Sequence, residues 1–399
     1  MINSVEKLNE YSAACTKCLE DKLAGADDKR HIVLCGGTGC LSNNSAEIRK
    51  RFEEVLEEKG VSDRATVNQV GCFGFCSQGP FVKIYPEDTL YRLVKLEDVE
   101  EIVESDIIGG QVVERLLYED PVTGEKVSKQ DDINFYKKQR RVALHGCGVI
   151  NPENIDEAMG MGAFQGLKRA LSMTQQQVID EVLASGLRGR GGAGFPSGRK
   201  WQFALNSQSD VKYVVCNGDE GDPGAFMDRS ILEGNPLAVI EGMMIAGYAI
   251  GAQNGYFYVR AEYHIAVKRL RIAIDQARKM GLLGKNILGT GFSFDCHLRL
   301  GAGAFVCGEE TALLNSIEGK RGMPRPRPPF PAVKGLWGQP TIINNVETLA
   351  CVPPYCGRAR ITSPVSAPRR ARAPRCSPWA ARSTTWAWWR CPWAPPSGS

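Results

Sequence analysis

Four cysteines in two close pairs are the residues whose spacing points most directly to chemistry. Cys35 and Cys40 form a C-x4-C pair, and Cys72 and Cys76 form a C-x3-C pair. Glycines flank both pairs, so the backbone can bend tightly around an inorganic core and direct N–H groups at sulfur. Four thiolates on two loops suit a [2Fe-2S] cluster. Zinc held by the same cysteines is an alternative, although structural zinc more often uses C-x2-C pairs, and unligated thiols are a third.

Short apolar runs place each cysteine pair at the end of a strand. Residues 30–34 predict the first strand and residues 65–70 the second. Between them, Ser45 can cap a helix that runs through Lys59. A hairpin and a second helix are expected over residues 81–105. The resulting β-α-β-β-β-α order predicts a small thioredoxin-like unit.

A second chemical signal is the glycine-rich stretch GLRGRGGAGFPSGRKW over residues 186–201. It satisfies G-x-G-x-x-G, but a helix over residues 175–184 precedes it, whereas a Rossmann fingerprint follows a strand. Bare backbone still lets a phosphate or a flat ring lie close, with Trp201 among the aromatic residues that offer stacking surfaces. A tight turn with a solvated basic face is the alternative. The candidate cofactor-binding residues here are Gly189, Gly191, Gly192, Gly194, Phe195, Lys200 and Phe203.

Three further loops carry polar side chains that could complete a cofactor site. One follows a predicted strand at residues 212–216, where open α/β sheets bind ligands, and its carboxylates can accept from ribose hydroxyls or bind a divalent metal. The others lie at predicted helix starts, where acidic residues are also favoured by the helix dipole and amides can pair with a flavin or nicotinamide edge. The candidates are Asn217, Asp219, Glu220, Asp222, Glu309, Glu310, Asn344 and Asn345.

Composition indicates a multidomain globular protein whose basic charge comes from its end. The chain has 399 residues and a net charge of +4. The eight arginines after Gly357 contribute more positive charge than this, so the residues before them have a negative net charge. The charge is therefore a poor argument for a nucleic-acid partner. The most apolar run, residues 237–252, is short for a membrane span and contains Glu241, so we expect a buried helix and no direct membrane insertion. With no visible signal peptide, the fourteen cysteines favour metal or redox chemistry over disulfides.

The loop motifs resemble a known family. GLRGRGGAGFP, GAGAFVCGEETALLNSIEG and TIINNVETLA are similar to the flavin-bearing, NADH-oxidising subunit of respiratory complex I. They also resemble its relatives in NAD(P)-linked formate dehydrogenases and multimeric hydrogenases. The likeness covers about residues 165–350, and the cysteine module resembles the [2Fe-2S] domain fused to the hydrogenase and formate dehydrogenase branch.

This resemblance implies FMN, NAD(H) and a [2Fe-2S] cluster as cofactors. Hydride would pass directly from NADH to FMN without a catalytic side chain, and single electrons would then pass to iron–sulfur clusters. Asp222 stands where the family often has Glu, and Phe305 where it often has Tyr. Besides the loop residues above, the resemblance adds Phe305, Gly308, Phe330 and Thr348 to the expected cofactor pocket.

The resemblance stops soon after Ala350. The family continues into a β-grasp domain and a helical domain whose S-x-x-C-G-x-C-x-P-C-R motif holds a [4Fe-4S] cluster, and that motif is absent here. Residues 376–399 instead hold five of the seven tryptophans and no acidic residue. When residues 374–399 are translated back into permitted codons and that DNA sequence is read from one base earlier, it can encode a segment that resembles the family. We therefore hypothesise a frameshift between Ala350 and Pro374, which resequencing would test.

The expected fold class is α/β, with a thioredoxin-like ferredoxin domain followed by a Rossmann-like FMN/NADH-binding domain. The expected function is NAD(P)H:acceptor oxidoreductase activity, with a truncated, non-catalytic iron–sulfur electron carrier or partner-binding subunit as the alternative. Expected partners are a small thioredoxin-like iron–sulfur subunit and a large iron–sulfur, hydrogenase or dehydrogenase subunit, in the cytoplasm or peripheral to a membrane through the complex. The predicted segments are a leader (1–28), the [2Fe-2S] domain (29–108), a connector (109–164), the FMN/NAD domain (165–350) and an aberrant, disordered tail (351–399).

Overall fold

The computed structural model describes residues 1–357. Val352–Gly357, at the start of the segment expected to be a disordered tail, form a helix. The rest of that segment, with most of the interval of the proposed frameshift and the lost β-grasp domain, lies outside the described residues.

The cysteine module folds in the predicted order of strands and helices. Its sheet has the order β2-β1-β3-β4, with β1 parallel to β2 and antiparallel to β3. The helix between β1 and β2 begins as expected, but its N-cap is Asn44 and not Ser45. The Ser45 hydroxyl instead donates to the Cys35 carbonyl at 2.9 Å and fixes the helix to the end of β1. The elements are β1 (Arg30–Cys35), α2 (Thr38–Leu41), α3 (Ser45–Glu58), β2 (Ala65–Val70), β3 (Val82–Tyr85), β4 (Thr89–Tyr91) and α4 (Asp98–Glu101), which continues as a π-helix over Ile102–Ile108.

The segments on either side of this module are ordered and pack against the rest of the chain. The first of them, expected as a leader, forms helix α1 (Val5–Ala24), which ends at Gly25 with φ 68°. Its Leu8 is fully buried in the core of the second domain. The connector holds β5 (Tyr118–Glu119), β6 (Lys126–Val127), α5 (Asn134–Lys137) and α6 (Ile155–Gly160).

The second domain is built on a four-stranded parallel sheet with the order β10-β7-β8-β9. The chain moves from β7 outward to β9 and then returns to place β10 on the other side of β7. The elements are α7 (Gln165–Leu171), α8 (Gln175–Ser185), α9 (Ser197–Asn206), β7 (Tyr213–Gly218), α10 (Met227–Gly234), α11 (Pro236–Ile250), β8 (Asn254–Arg260), α12 (His264–Met280), β9 (Asp295–Gly301), α13 (Glu310–Ile317), β10 (Thr341–Asn345), α14 (Val346–Ala350) and α15 (Val352–Gly357).

Helices cover both faces of this sheet, which makes it a doubly wound α/β fold. Helices α11 and α12 share a core with one face of the strands, and α13 packs on the other face. The apolar run that includes Glu241 is the buried helix α11, as predicted. Within residues 1–357, no helix combines the length and the apolar character that crossing a bilayer requires.

Candidate cofactor sites

The strand order predicts a ligand-binding crevice at the carboxyl ends of β7 and β10. Ligands of open α/β sheets bind where neighbouring strands have connections that run in opposite directions, and β7 and β10 are such a pair. Their register places Asn345 beside Asn217, so two of the predicted polar loops leave the sheet at the same point. The fold therefore explains why residues more than a hundred positions apart meet.

The glycine-rich loop reaches this crevice from helix α8. Its base closes as a short hairpin, in which the Gly189 N–H donates to the Phe195 carbonyl at 2.8 Å. Gly192 and Gly194 have φ values of 108° and 63°, which residues with a Cβ adopt only with strain. A Cβ on Gly192 would meet nothing within 4 Å, so the exposed turn leaves open space above bare backbone. The loop can thus lie against a flat or phosphorylated ligand.

Hydrogen bonds attach the glycine-rich loop to helix α14 and helix α9 to strand β10. The Arg190 N–H donates to Thr348 Oγ1 at 2.9 Å. Lys200 Nζ donates to the Ile343 carbonyl at 3.0 Å and pairs with Glu310 at 3.2 Å. Lys200 therefore joins three of the four predicted loops.

Trp201 corrects one expectation. It was expected to offer a stacking surface, but it is fully buried, and its indole N–H donates to Asn344 Oδ1 at 3.0 Å. Position 201 lies on the inner face of α9, because the buried residues of this helix recur at helical spacing, at Ser197, Gly198, Trp201 and Ala204. The exposed aromatic rings near the crevice include Phe195, Phe203, Phe305 and Phe330.

The two remaining loops close against each other. Asn217 Nδ2 donates to the Gly308 carbonyl at 2.9 Å. A Cβ on Gly221 would come within 2.8 Å of the Phe305 ring, so Gly221 lets that ring lie over the loop. Phe305 itself is 74% exposed and offers an apolar surface to solvent.

Several predicted side chains are occupied by contacts within the protein. Glu309 caps its own helix by accepting from the N–H groups of Thr311 and Ala312 at 2.8 and 2.9 Å. Glu220 accepts from two N–H groups at the start of α10, both at 3.2 Å. Asp222 is exposed on the loop.

Asp228 is a residue of this site that sequence reasoning missed. It is buried, and both of its carboxylate oxygens accept from Asn345 Nδ2, at 2.7 and 2.8 Å. Burial raises its pKa to about 8, and the neighbouring Glu220 adds to the rise. It closely follows the acidic loop that holds Asp219 and Asp222, and this nearness is the sequence signal that could have found it.

Asp219 tests whether a hydroxyl-bearing cofactor fits the crevice. Its Oδ2 atom is buried and accepts no hydrogen bond from the residues that the structure describes. A Cβ on Gly308 would lie 3.5 Å from that atom, so the glycine keeps the space beside it clear. Burial raises the pKa of Asp219. A ligand hydroxyl would satisfy this buried acceptor, and the ribityl chain of FMN carries such groups.

The four cysteines of the first module come together as predicted. The pKa of the Cys35 thiol is raised by its hydrogen bond with Cys40, and its contact with Cys72 acts in the opposite direction. The pKa of Cys76 is raised first by its hydrogen bond with Cys72. The thiols therefore form a continuous series across the two loops.

Glycines give the four thiols the room that a cluster requires. A Cβ on Gly79 would lie 2.6 Å from the Cys40 sulfur, and one on Gly37 would lie 3.4 Å from the Cys72 sulfur. Among residues 1–357, no group of three or more histidine, cysteine, aspartate or glutamate side chains is arranged to hold a metal ion. The two loops do supply four thiols, the number of ligands that a [2Fe-2S] cluster takes.

Comparison with known families agrees with both sites. Residues 182–354 match the Nuo51 FMN-binding domain, and residues 25–106 match the thioredoxin-like [2Fe-2S] ferredoxin. The chain joins a ferredoxin domain to an FMN-binding domain. The FMN-binding domain contains all four loops of the crevice, and the ferredoxin domain contains all four clustered cysteines.

Individual relatives are similar over about half of the chain. The NADP-reducing hydrogenase subunit HndC of Solidesulfovibrio fructosivorans is 60% identical over 217 residues, which is 54% of this chain and 44% of that protein. An NADH-quinone oxidoreductase subunit of Aquifex aeolicus is 54% identical over 200 residues, covering 50% of this chain and 47% of that protein. The chain thus spans about half the length of the curated relatives it matches.

A solved structure aligns over more of the chain. It is an NAD+-reducing [NiFe]-hydrogenase in the H2-reduced state, with 25% identity and a TM-score of 0.46. The alignment covers 87% of this chain and 56% of that one.

Proposed function

We propose that this chain is the electron-input subunit of an NAD(P)H:acceptor oxidoreductase complex. Its matched relatives are named as an NADP-reducing hydrogenase subunit and an NADH-quinone oxidoreductase subunit, which supports nicotinamide oxidation and assembly with other subunits. FMN, when bound, accepts a hydride and passes on electrons singly. The chain's own residues hold, orient and shield the cofactor.

The main structural support for this proposal is helix α10, because it connects the two candidate cofactor sites. At its start, Asp228 binds Asn345 in the crevice. At its end, Glu233 Oε2 accepts from the Thr38 N–H of the first cysteine loop at 3.0 Å, and Gly234 lies against Gly71 of the second. Eight helical residues span about 12 Å. The flavin crevice and the cysteine loops are therefore neighbours joined by one rigid element.

The side chains of the crevice suggest separate roles in cofactor binding. We propose that Gly189, Gly191, Gly192 and Gly194 lie against the flavin, and that Asp219 accepts from its ribityl hydroxyls. Lys200 would offer a positive charge to the phosphate, exchanging its contact with Glu310 for the ligand. The remaining predicted residues, which are proposed to line the flavin and nucleotide pocket, are Phe195, Phe203, Asn217, Glu220, Asp222, Phe305, Gly308, Glu309, Glu310, Phe330, Asn344, Asn345 and Thr348.

The ligands proposed for the [2Fe-2S] cluster are Cys35, Cys40, Cys72 and Cys76. The partners proposed from the resemblance are a small thioredoxin-like iron–sulfur subunit and a large iron–sulfur, hydrogenase or dehydrogenase subunit. A cytoplasmic location, with attachment to a membrane only through the complex, belongs to the same proposal.

An absorbance spectrum of the purified chain tests the function. We expect flavin and iron–sulfur bands, and we expect anaerobic NADH or NADPH to bleach the flavin band. Comparing the two nucleotides at equal concentration identifies the preferred donor. A brown protein that holds no flavin after reconstitution with FMN would contradict the proposal and favour the alternative, an iron–sulfur electron carrier without hydride chemistry.

A further inference from the structure

Three arginines from outside the ferredoxin domain surround its cysteine loops. Arg141 Nη2 donates to the carbonyl of Phe73, the residue after Cys72, at 2.8 Å. Arg269, on α12, lies so close to the first loop that a Cβ on Gly36 would be 2.7 Å from its Nη2 atom. Arg229, on α10, lies 3.8 Å from Glu233, whose carboxylate accepts from the Thr38 N–H of the first cysteine loop at 3.0 Å.

Arg269 is a buried cation that shares its carboxylate partner, Glu153, with a lysine. It is 2% exposed, and its Nη1 donates to the Glu233 carbonyl at 2.5 Å. Its Nε atom has no hydrogen-bond partner among the described residues and lies 3.6 Å from Glu153 Oε1. Glu153 is itself bound by Lys268 at 2.9 Å. Burial lowers the pKa of Arg269, and the nearby carboxylates of Glu233 and Glu153 act in the opposite direction.

Arg229 has a similar environment on the other side of the loops. Its side chain is 18% exposed, and its nearest carboxylate oxygen, on Glu233, lies 3.8 Å away. Its Nε atom is buried and has no hydrogen-bond partner within residues 1–357. The guanidinium packs over the Phe226 ring at 4.2 Å, which holds it in place.

An iron–sulfur cluster, when bound, would add negative charge beside these arginines. Four thiolates and two sulfides outweigh the charge of two ferric ions, and one added electron makes the cluster more negative. A nearby buried cation stabilises the reduced form more than the oxidised form, because the local effective dielectric constant is lower than that of water. Net charge near a cluster is one of the factors that set its reduction potential.

We propose that Arg269 and Arg229 of the FMN-binding domain raise the reduction potential of the [2Fe-2S] cluster in the ferredoxin domain. The second domain thereby makes the first a better electron acceptor. This inference rests on the proposed cluster ligands and does not depend on FMN binding or NADH oxidation.

Potentiometric titration of the full chain, followed by the EPR signal of the reduced cluster, tests this proposal. Dithionite and redox mediators set the potential, so the flavin reaction is not needed. In R269M, we expect the ratio of reduced to oxidised cluster at a fixed potential to fall about tenfold, which equals about 59 mV for a one-electron couple. R269K keeps the positive charge and should stay within about twofold of the wild type.

Two further variants keep the outcome interpretable. R229Q changes a partly exposed residue, so it tests the same effect if R269M fails to fold. We expect R229Q to lower the ratio of reduced to oxidised cluster about fivefold. R278Q removes a charge from the same helix as Arg269, but Arg278 pairs with Asp295 on β9 and should leave the ratio unchanged. A ratio within twofold of the wild type in both R229Q and a folded R269M would overturn the proposal, as would an equal fall in R269K and R269M.

Discussion

At the scale of single residues, Asp219 keeps one buried carboxylate oxygen without a protein donor among the described residues. A hydrogen bond from a ligand to a charged acceptor is worth about 1.5–3 kcal/mol. We therefore expect D219A to weaken FMN binding by about 10- to 100-fold, as measured by quenching of flavin fluorescence in a titration of the apo-protein. D210A, which removes an exposed carboxylate just before β7 and outside the proposed pocket, is the control. Equal FMN affinities for the two variants would contradict a role for Asp219.

Glu241 makes stability depend on pH. It is buried in α11 and accepts from the N–H groups of Phe164 and Leu167 at 2.8 and 2.9 Å, and burial raises its pKa from 4.5 to about 7. Because the folded state holds this proton more tightly, its contribution is complete below pH 4.5 and is lost as the pH rises through 7.

Between those two pH values, we expect the wild type to lose up to about 1.4 kcal/mol of unfolding free energy per pH unit relative to E241Q. Urea unfolding at several pH values measures this difference. The free energies of the two proteins should converge or cross as the pH rises. Parallel pH profiles would show that Glu241 does not titrate in this range.

At the scale of helices and strands, glycines allow backbones to touch. A Cβ on Gly242 in α11 would lie 2.1 Å from the Leu349 carbonyl oxygen of α14, which cannot move aside as a flexible side chain can. Alanine favours helix by about 1 kcal/mol over glycine, but the collision costs more. We expect G242A to lower the unfolding free energy by about 2–3 kcal/mol.

Gly60 provides the comparison for this variant. It has φ 68° and open space around its Cβ position, so G60A should cost only about 1 kcal/mol of backbone strain. Thermal denaturation of both variants measures the difference. If G242A melts at or above the temperature of G60A, the close helix contact is not as rigid as described.

Sequence patterns correctly predicted the helices and strands that are determined by neighbouring residues along the chain. Apolar spacing and terminal glycines predicted α8, which ends at Gly186 with φ 70°, and the strands that lead to both cysteine pairs. They could not show that Trp201 is directed inward or that Asp228 binds Asn345, because these depend on contacts between segments distant in sequence. The family resemblance supplied the grouping of the four loops, and the strand order explains it.

At the scale of the whole molecule, the N-terminal helix belongs to the core. Leu8 of α1 is fully buried among residues of the FMN-binding domain, and the Ile2 N–H donates to the Met280 carbonyl at 2.6 Å. We expect L8A to cost about 2–5 kcal/mol through the lost contacts and the cavity. The exposed neighbour K7A should cost less than about 0.5 kcal/mol. Melting temperatures of the two variants provide the measurement, and similar values would show that α1 is not required for stability.

The contact between Gly71 and Gly234 has a consequence for how such proteins can be assembled. Backbone meets backbone there, since a Cβ on Gly71 would lie 2.6 Å from the Gly234 Cα. If the two halves were separate polypeptides, they would have to find this narrow fit by diffusion and bind tightly enough to keep it. A covalent tether raises the local concentration of one half around the other, so a modest contact is enough. Fusion into a single chain can therefore replace high affinity between subunits.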